Sequence, residues 1–273
     1  MSMVAAGDAA LTRVDFERVR KLIYARAGIA LSEAKQQMAH SRLSRRVRAT
    51  GADGFADYLD RLERHGGDEW QEFVNALTTN LTSFFRERHH FPVLAEFAAA
   101  HASASSSPLK VWCSAASTGE EPYSIAMTLA ELGQSQASVL STDIDTNVLE
   151  QARRGVYRNE GIKSLEPAQL RRWFLKGRGA NEGHVKVRPE LARMCRFEPL
   201  NLLADSWSIG GPFDVIFCRN VMIYFDKPTQ YRILERFAAV LRPGGLLFAG
   251  HSENFSEARK HFALRGKTVY ERV

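Results

Sequence analysis

Features of membrane, secreted and redox-active proteins are missing from this sequence of 273 residues. No stretch approaches the roughly 18 consecutive apolar residues that a membrane span requires. The N-terminal segment Met1 to Asp15 lacks the basic-then-apolar layout of a secretory signal. Only three cysteines are present, Cys113, Cys195 and Cys218, and none belongs to a CxxC pair. We therefore expect a cytoplasmic protein with reduced, buried thiols, no membrane insertion and no bound metal.

The signatures of two common enzyme classes are also absent. No GxGxxG fingerprint follows an apolar strand, and the glycines Gly177, Gly179 and Gly183 follow a basic helix end instead. No histidine is close in sequence to Cys218, so nothing nearby would activate that thiol as a nucleophile. The sequence therefore argues against a dinucleotide-dependent oxidoreductase and against a cysteine hydrolase.

Charge is unevenly spread along the chain. The composition is 45% hydrophobic and 25% charged, which is enough to bury a full core, and the net charge is +6 with a pI near 9.3. The segment from Lys35 to Thr50 contains no acidic residue. Its basic residues are Lys35, Arg42, Arg45, Arg46 and Arg48. This segment is the candidate contact surface for a polyanionic partner, which charge alone leaves open as a nucleic acid, a membrane surface or an acidic protein.

The first third of the chain has helical periodicity. Apolar residues recur at helical spacing from Val14 to about residue 100, which predicts an all-helical domain over residues 1–100. Helices are predicted near 16–27, 32–50, 54–65 and 69–78. Asp15 and Asp53 stand where N-caps are expected, and Gly28 and Gly51 stand where helices should end.

Beyond the polar connection SASSSP the pattern changes to strands alternating with helices. The predicted strands are Leu109–Cys113, Ser138–Thr142, Phe213–Phe217 and Leu246–Ala249, and the predicted helices cover 121–132, 146–154 and 227–241. This alternation predicts an α/β domain over residues 101–273 with a mostly parallel sheet, whose ligands bind beyond the carboxyl ends of the strands. An alternating, glycine-punctuated stretch near 175–198 predicts an inserted antiparallel hairpin or three-stranded flap.

Acidic residues follow the first two predicted strands. Glu120 and Glu121 open a helix after a loop of small residues, where they disfavour a phosphate and favour a cationic ligand, or else merely complement the helix dipole. Asp143 and Asp145 end the second strand, where a carboxylate commonly binds both ribose hydroxyls. Asp143 is the first choice for that role, because Asp145 also fits the N-cap of the next helix.

Two further segments combine polar and aromatic residues. The stretch after the strand Phe213–Phe217 offers Tyr224 as a hydrogen-bond donor at a reaction centre. Asn80, Thr82 and Arg86 are spaced two and four residues apart, so they either face one pocket or form a capped helix start.

Seven strings in a fixed order resemble the CheR family of chemotaxis receptor methyltransferases. They are NLTSFFRE, AASTGEEPYSIA, TDID, FEPLNL, FDVIFCRNVMIYFD, LRPGGLLFAGHSE and RGKTVYER. The resemblance runs through nearly the whole chain. It implies an all-α N-terminal domain followed by a Rossmann-like class I methyltransferase domain with an inserted small antiparallel β-subdomain.

The resemblance also implies a site for S-adenosylmethionine, whose product would be S-adenosylhomocysteine. The implied cofactor contacts are Asn80, Thr82, Arg86, Glu120 near the amino group, Asp143 at the ribose, Asn201 and Leu202 beside the adenine, and Arg219 and Asn220 completing the pocket. Arg86 and Tyr224 match the residues nearest the transferred methyl group.

The implied reaction is methylation of glutamate side chains on bacterial chemoreceptors during chemotactic adaptation. The basic helix, with Arg42, Arg45, Arg46 and Arg48, resembles the surface that meets the receptor's methylation helices. The flap, with Gly177 and Gly179 in its turn, resembles a β-subdomain that binds a receptor C-terminal peptide by strand addition. The alternatives are a non-catalytic adaptor that binds S-adenosylmethionine and a nucleic-acid methyltransferase. No nucleic-acid partner is expected, because no aromatics interleave the arginines.

Overall fold

The computed structural model describes residues 10–255 and 258–273 and divides the chain into two compact units. The first runs to Thr79 and includes Tyr224–Asp226, and the second comprises Asn80–Ile223 and Lys227–Val273. This division differs from the boundary near residue 100 that the sequence predicted. The helix His90–Ala104 belongs to the second unit, because its apolar residues Leu94 and Ala98 lie in the core of that unit. Among the described helices, none is both long and apolar enough to cross a bilayer.

The first unit is built from short helices. They are α1 Arg13–Ala27, α2 Gln36–Thr50, α3 Phe55–His65 and α4 Glu69–Leu77, with a 3-10 turn at Glu33–Lys35. The predicted ends at Gly28 and Gly51 are confirmed, since both glycines cap their helices in the left-handed conformation. The predicted N-cap at Asp15 is wrong, because α1 begins one turn earlier, where the Thr12 hydroxyl accepts the Asp15 N–H at 3.1 Å.

The helix α3, in contrast, begins one residue later than expected. Its N-cap is Gly54, and the Asp53 side chain does not cap it. Instead the Asp53 N–H donates to the Asp57 carboxylate at 3.0 Å, so the side chain one turn inside the helix satisfies the backbone donor. The prediction of Asp53 as N-cap is therefore wrong.

The second unit contains a seven-stranded sheet in the order β6-β2-β1-β7-β8-β10-β9. Its strands are β1 Lys110–Cys113, β2 Ser138–Asp143, β6 Cys195–Pro199, β7 Phe213–Cys218, β8 Leu241–Ala249, β9 Phe262–Gly266 and β10 Val269–Arg272. Strands β6 to β8 in that order pair in parallel, and β10 and β9 are antiparallel additions. The helices of this unit are α5 His90–Ala104, α6 Glu120–Glu131, α7 Thr146–Arg154, α8 Pro167–Trp173, α9 Pro189–Ala192 and α10 Lys227–Val240. The predicted α/β fold with an all-α first part is confirmed.

A three-stranded antiparallel sheet is inserted in this unit, but its composition differs from the predicted segment 175–198. Its strands are β3 Val156–Arg158, β4 Phe174–Lys176 and β5 His184–Val187, in the order β3-β5-β4. The strand β3, which precedes α8, lies outside the predicted segment. The residues from Met194 to Phe197 do not join the small sheet but lead into β6 of the large sheet. β6 pairs in parallel with β2, so Cys195 lies opposite Val139.

The core lies on both faces of the large sheet. All six residues of β7 are buried, which explains its largely apolar sequence, and the one charged residue, Asp214, accepts the Lys110 N–H and pairs with Arg242. Trp112 is fully buried and donates its ring N–H to the Thr142 hydroxyl at 2.9 Å, so its one polar atom is satisfied. Truncating such a side chain to alanine costs about 3–5 kcal/mol. This rigid core fixes the carboxyl ends of β1, β2, β7 and β8, where the site is built.

Candidate active site

Backbone hydrogen bonds join the loops that leave the parallel strands. The Ser114 N–H donates to the Phe217 carbonyl at 2.8 Å, and the Ala116 N–H donates to the Thr142 carbonyl at 2.9 Å. The loop after β1 therefore lies against the ends of β7 and β2. Parallel α/β sheets form their ligand crevices at this edge.

The carboxylate of Asp143, at the end of β2, holds the loop after β1. Its oxygens accept the Ser117 N–H at 2.8 Å and the Asp145 N–H at 3.0 Å. Burial, opposed by these hydrogen bonds, raises the pKa of Asp143 to about 6. Each carboxylate oxygen has a second lone pair, so the group retains acceptor capacity for a ligand's hydroxyls.

Asp145 has a different task. One of its oxygens accepts the N–H groups of Asn147 and Val148, so it caps α7, and the other accepts from the Asn80 side-chain amide at 2.7 Å. Both oxygens are engaged within the protein. Asp145 therefore caps α7, as the sequence suggested, and the choice of Asp143 as the ribose carboxylate stays a prediction.

The adjacent residues Glu120 and Glu121 have unlike surroundings. Glu121 is buried, forms an ion pair with Arg219 at 2.6 Å and accepts a hydrogen bond from the Cys113 thiol at 3.3 Å. Glu120 accepts the Thr118 hydroxyl at 2.6 Å, and within the part of the chain that the structure describes no cation lies within ion-pair distance of it. Burial raises the pKa of Glu120 although the Thr118 hydrogen bond opposes this. Glu120 is thus a desolvated carboxylate that lacks a cation.

The segment from Asn80 to Glu87 is not a helix start, so that interpretation is wrong. Between α4 and α5 it has irregular backbone, and both Phe85 and Glu87 have positive φ angles, 51° and 54°. Left-handed backbone at non-glycine residues costs on the order of 1 kcal/mol or more each. The segment is anchored at its start by the bond from Asn80 to Asp145. Arg86, half-buried, donates to the Leu81 carbonyl at 2.7 Å.

Asn201 and Leu202 follow β6 directly beyond Asp143. The Leu200 N–H donates to the Asp143 carbonyl at 2.9 Å, which brings this loop beside the end of β2. The Asn201 side chain accepts the Leu203 N–H at 2.9 Å, and Leu202 is buried. Their assignment to an adenine stays a prediction.

Arg219, predicted as a cofactor contact, is deeply buried among protein groups. Its guanidinium pairs with Glu121 and with Glu87 at 3.3 Å, and it donates to the Arg86 carbonyl at 2.5 Å. Asn220 has a positive φ angle of 59° and donates its amide to Glu87 at 3.3 Å. Direct contact of these two residues with a cofactor stays a prediction.

Tyr224 belongs to the first compact unit, whereas the other predicted cofactor residues belong to the second. Within its unit the Tyr224 carbonyl accepts the Ala30 N–H at 3.0 Å. Its placement near a transferred methyl group therefore stays a prediction.

Sequence reasoning missed the buried carboxylate of Glu253. It accepts the N–H groups of Gly250 at 2.6 Å, Asn220 at 3.0 Å and Met222 at 2.8 Å, and so ties the end of β8 to the loop after β7. A Cβ atom at Gly250 would lie 2.3 Å from the Asn220 amide nitrogen, so only glycine fits there. The string GHSE, Gly250 to Glu253, lies directly after an apolar strand, and its glutamate could have been recognised there as a candidate.

Two family models and several relatives match the chain. A model of the CheR methyltransferase SAM-binding domain matches residues 80–271, and one of the CheR methyltransferase all-alpha domain matches residues 14–78. The chemotaxis protein methyltransferase of Escherichia coli strain K12 is 57% identical over 266 residues, covering 96% of this chain and 91% of that protein. The chemotaxis protein methyltransferase 2 of Pseudomonas aeruginosa is 53% identical over 262 residues, covering 95% of this chain and 93% of that protein. The chain belongs to the CheR methyltransferase family.

Membership in the CheR family makes the chain a methyltransferase that uses S-adenosylmethionine, as the sequence predicted. The two family models meet where the compact units divide, at Thr79 and Asn80. These residues fit this cofactor, because Glu120 is a half-buried carboxylate with no cation within ion-pair distance among the described residues, and Asp143 places a second carboxylate at the end of β2. The nucleic-acid alternative is not favoured.

The arginines predicted to bind the receptor divide into two pairs. Arg46 pairs with Glu69 at 2.6 Å, and Arg42 donates to the Thr78 carbonyl at 2.5 Å, so both brace the helical unit. Arg45 and Arg48 are exposed. A receptor surface on α2 therefore has two exposed arginines to offer rather than four.

Gly177 and Gly179 lie in the turn between β4 and β5 of the small sheet. A Cβ atom at Gly177 would lie 2.0 Å from the Asn181 carbonyl oxygen, so this glycine is required by the turn itself. Gly179 has a φ angle of 57° and is exposed. A role for either glycine in receptor binding stays a prediction.

Proposed function

We propose that this CheR family member transfers the methyl group of S-adenosylmethionine to glutamate side chains of chemoreceptors and forms glutamate methyl esters. The name of the relatives, chemotaxis protein methyltransferase, supports a role in chemotaxis. The observation that carries the chemistry is Glu120, a half-buried carboxylate whose only side-chain partner among the described residues is the Thr118 hydroxyl. A ligand with an ammonium group offers the cation that this carboxylate lacks.

Four side chains are proposed to hold the cofactor. Asp143 would accept the ribose hydroxyls, Glu120 would pair with the ammonium group, and Asn201 with Leu202 would flank the adenine. When bound, S-adenosylmethionine supplies an electrophilic methyl group on a positively charged sulfur. Because these side chains lie on separate strand ends of a rigid sheet, the binding geometry is set before the ligand arrives.

The acceptor needs no general base. A glutamate side chain has an ordinary pKa near 4.3, so it is already ionised at neutral pH. The buried thiol of Cys218 offers no competing nucleophile, since burial raises its pKa well above the ordinary value. Rate acceleration then comes from aligning the carboxylate with the methyl group and excluding water, which contributes on the order of 7 kcal/mol or more.

Arg86 is the side chain we propose to orient the incoming carboxylate. Its guanidinium is half-buried and spends one N–H on the Leu81 carbonyl, and the fork of a guanidinium holds five donors in total. The pair with the acceptor must not be tighter in the ground state than in the transition state, or it would slow the reaction. Tyr224 is proposed as a second polar group near the methyl.

Receptor docking is proposed on two surfaces. The first is the exposed pair Arg45 and Arg48 of α2, which would meet acidic methylation helices. The second is the small antiparallel sheet, whose surrounding chain from Val156 to Arg188 carries eight basic and three acidic residues. A receptor's C-terminal segment would add to this sheet as a strand.

A cavity beside the small sheet supports the second surface. Its volume is about 450 Å³, and its lining combines apolar side chains, among them Leu170, Phe174 and Val185, with Lys163 and Lys176. Such a lining suits a peptide that presents an apolar or aromatic side chain next to an acidic group. The cavity therefore gives strand addition a specificity pocket.

The test is transfer of labelled methyl from S-adenosylmethionine to a chemoreceptor cytoplasmic fragment, with and without its C-terminal tail. Label on the protein that mild alkali releases identifies a carboxyl methyl ester. Lys176→Glu should lower methylation of the tailed fragment and leave the tailless one unchanged. Lys260→Glu, at an exposed position outside the cavity lining, is the matched control.

Each alternative has its own outcome. No label on any fragment, with cofactor binding intact, would support a non-catalytic adaptor. Label that resists mild alkali would exclude the ester. Equal methylation of tailed and tailless fragments would remove the tail site while leaving the reaction in place.

A further inference from the structure

The carboxylate of Glu87 contacts side chains and backbone from two separate parts of the second unit. Its carboxylate accepts from the Asn220 amide at 3.3 Å and from the His251 ring nitrogen Nδ1 at 3.0 Å, and it pairs with Arg219 at 3.3 Å. The His251 N–H also donates to it at 3.3 Å. Asn220 and Arg219 follow β7, and His251 follows β8. One carboxylate thus ties two strand ends to the segment between Asn80 and Glu87.

The charge of Glu87 is well supported. Burial opposes ionisation, but the His251 hydrogen bond and the Arg219 charge outweigh it and lower the pKa of Glu87 to about 2. Glu87 is therefore anionic throughout the range in which the enzyme works.

The contacts of Glu87 act on the backbone that carries Arg86. Phe85 and Glu87, on either side of Arg86, both have positive φ angles. Arg219 donates to the Arg86 carbonyl and is itself held by Glu121 at the start of α6. Strained backbone of this kind persists only where its surroundings enforce it. The carboxylate of Glu87 and the guanidinium of Arg219 supply that enforcement.

A metal ion is not what this cluster is arranged for. Glu87, His89 and His90 can bring one ligand atom each within 4.8 Å of one another. The Arg219 guanidinium, however, already pairs with the Glu87 oxygen that faces His90, so a fixed positive charge adjoins the position that a cation would take.

We propose that Glu87 is a positioning residue for methyl transfer: by binding Asn220, Arg219 and His251 it fixes the turn at residues 85–87 and so aims the Arg86 guanidinium at the acceptor carboxylate. This inference rests on the proposed role of Arg86 in receptor methylation. The start of the segment has its own anchor, the bond from Asn80 to Asp145, so cofactor binding should depend little on Glu87.

The test is a double-mutant cycle on kcat, measured with the full-length chain, saturating receptor fragment and saturating S-adenosylmethionine. Glu87→Gln is isosteric and should lower kcat roughly 10- to 100-fold, the loss expected when a reacting group is misplaced by about 1 Å. In an Arg86→Ala background the same change should lower kcat no further than about twofold. Calorimetry should give Glu87→Gln a cofactor affinity within about threefold of wild type.

A matched control and a milder variant complete the experiment. Glu150→Gln removes a carboxylate from an exposed ion pair with Arg154 and should leave kcat unchanged. His251 is exposed, so His251→Ala should fold, and it should lower kcat severalfold in the wild-type background but not with Arg86→Ala. If Glu87→Gln fails to fold, His251→Ala tests the positioning role of Glu87 in its place.

The outcomes separate the inference from the proposed function. Losses that multiply in the double variant, or a Glu87→Gln enzyme with normal kcat, would overturn the positioning role while receptor methylation stands. A loss of cofactor affinity that accounts for the whole effect would also overturn it. A wild-type chain that methylates no receptor would overturn the proposed function, and the inference with it.

Discussion

Replacing Glu120 with glutamine is expected to weaken S-adenosylmethionine binding and to stabilise the protein without ligand. The carboxylate is desolvated, and among the described residues only the Thr118 hydroxyl is its side-chain partner. A hydrogen bond to a charged group contributes about 1.5–3 kcal/mol. Loss of the proposed bond to the cofactor's ammonium should therefore raise the dissociation constant about 10- to 150-fold.

The same substitution should raise the free energy of unfolding of the ligand-free protein, and this gain should depend on pH. Burial raises the pKa of Glu120 above its ordinary value of 4.5, so the folded state disfavours the charged form. The wild type therefore loses stability as the pH rises from about 4.5 through the raised pKa. Glu120→Gln escapes this loss, so its gain in melting temperature should be present at pH 7 and absent below pH 4.5.

Glu121→Gln is the matched control, one residue away on the same helix. Removing that charge leaves the buried Arg219 without its closest carboxylate partner, which lies at 2.6 Å. Breaking a buried ion pair from one side costs about 3–5 kcal/mol, less whatever Glu87 retains. Glu121→Gln should therefore lower the melting temperature, in contrast to its neighbour.

The assay is calorimetric titration with S-adenosylmethionine and, as a second ligand, 5′-methylthioadenosine, which lacks the amino group. Glu120→Gln should weaken only the first ligand. Equal losses for both ligands, or no loss for either, would refute the pairing of Glu120 with an ammonium group. A lowered melting temperature at pH 7 would refute the claim that this carboxylate lacks compensation.

Three shorter tests concern the ribose carboxylate, the basic helix and the thiols. Because burial raises the pKa of Asp143 to about 6, cofactor affinity should fall up to about tenfold per pH unit below 6, and Asp143→Asn should remove that slope in calorimetry. Arg45→Glu should lower receptor methylation and spare cofactor affinity, whereas Arg46→Ala should lower the melting temperature because it breaks the ion pair with Glu69. Cys218 should resist alkylation until the chain is unfolded, because burial raises its pKa.

Each of these three predictions can be contradicted by a specific result. Affinity that is flat between pH 5 and 7 would remove Asp143 from the ribose site. Normal methylation by Arg45→Glu would place the receptor surface elsewhere on the chain. Rapid labelling of the native thiol would contradict its burial.

The elements whose sequence pattern is local were predictable. The strand β7 is apolar except for Asp214 because both its faces are buried, and the structure extends the prediction by only one residue, to Cys218. Gly28 and Gly51 end their helices because a left-handed residue is needed there. Asp143 and Glu120 could be singled out as candidates because each stands at a strand end or a helix start, where ligands commonly bind, and their roles stay predictions.

Features that depend on distant partners were not predictable. The helix α5 has the same apolar spacing whichever unit buries it, so the polar SASSSP connection was mistaken for the boundary. The strand β6 joins the large sheet because its backbone pairs with β2, a choice that alternation does not encode. Glu87 and Asn220 are 133 positions apart, and no local pattern links them.

The adjacent residues Glu120 and Glu121 have different partners, and the sequence alone does not predict which carboxylate has which partner. Successive residues on a helix point about 100° apart, so one carboxylate turns inward to Arg219 and the other remains without a cation. The inward one joins a chain of contacts through Arg219 to Glu87 and Arg86, on the acceptor side. The other is the one we propose to bind the cofactor. If both proposals hold, mutations at Glu120 should alter cofactor binding, and mutations at Glu121 should alter the alignment of the acceptor.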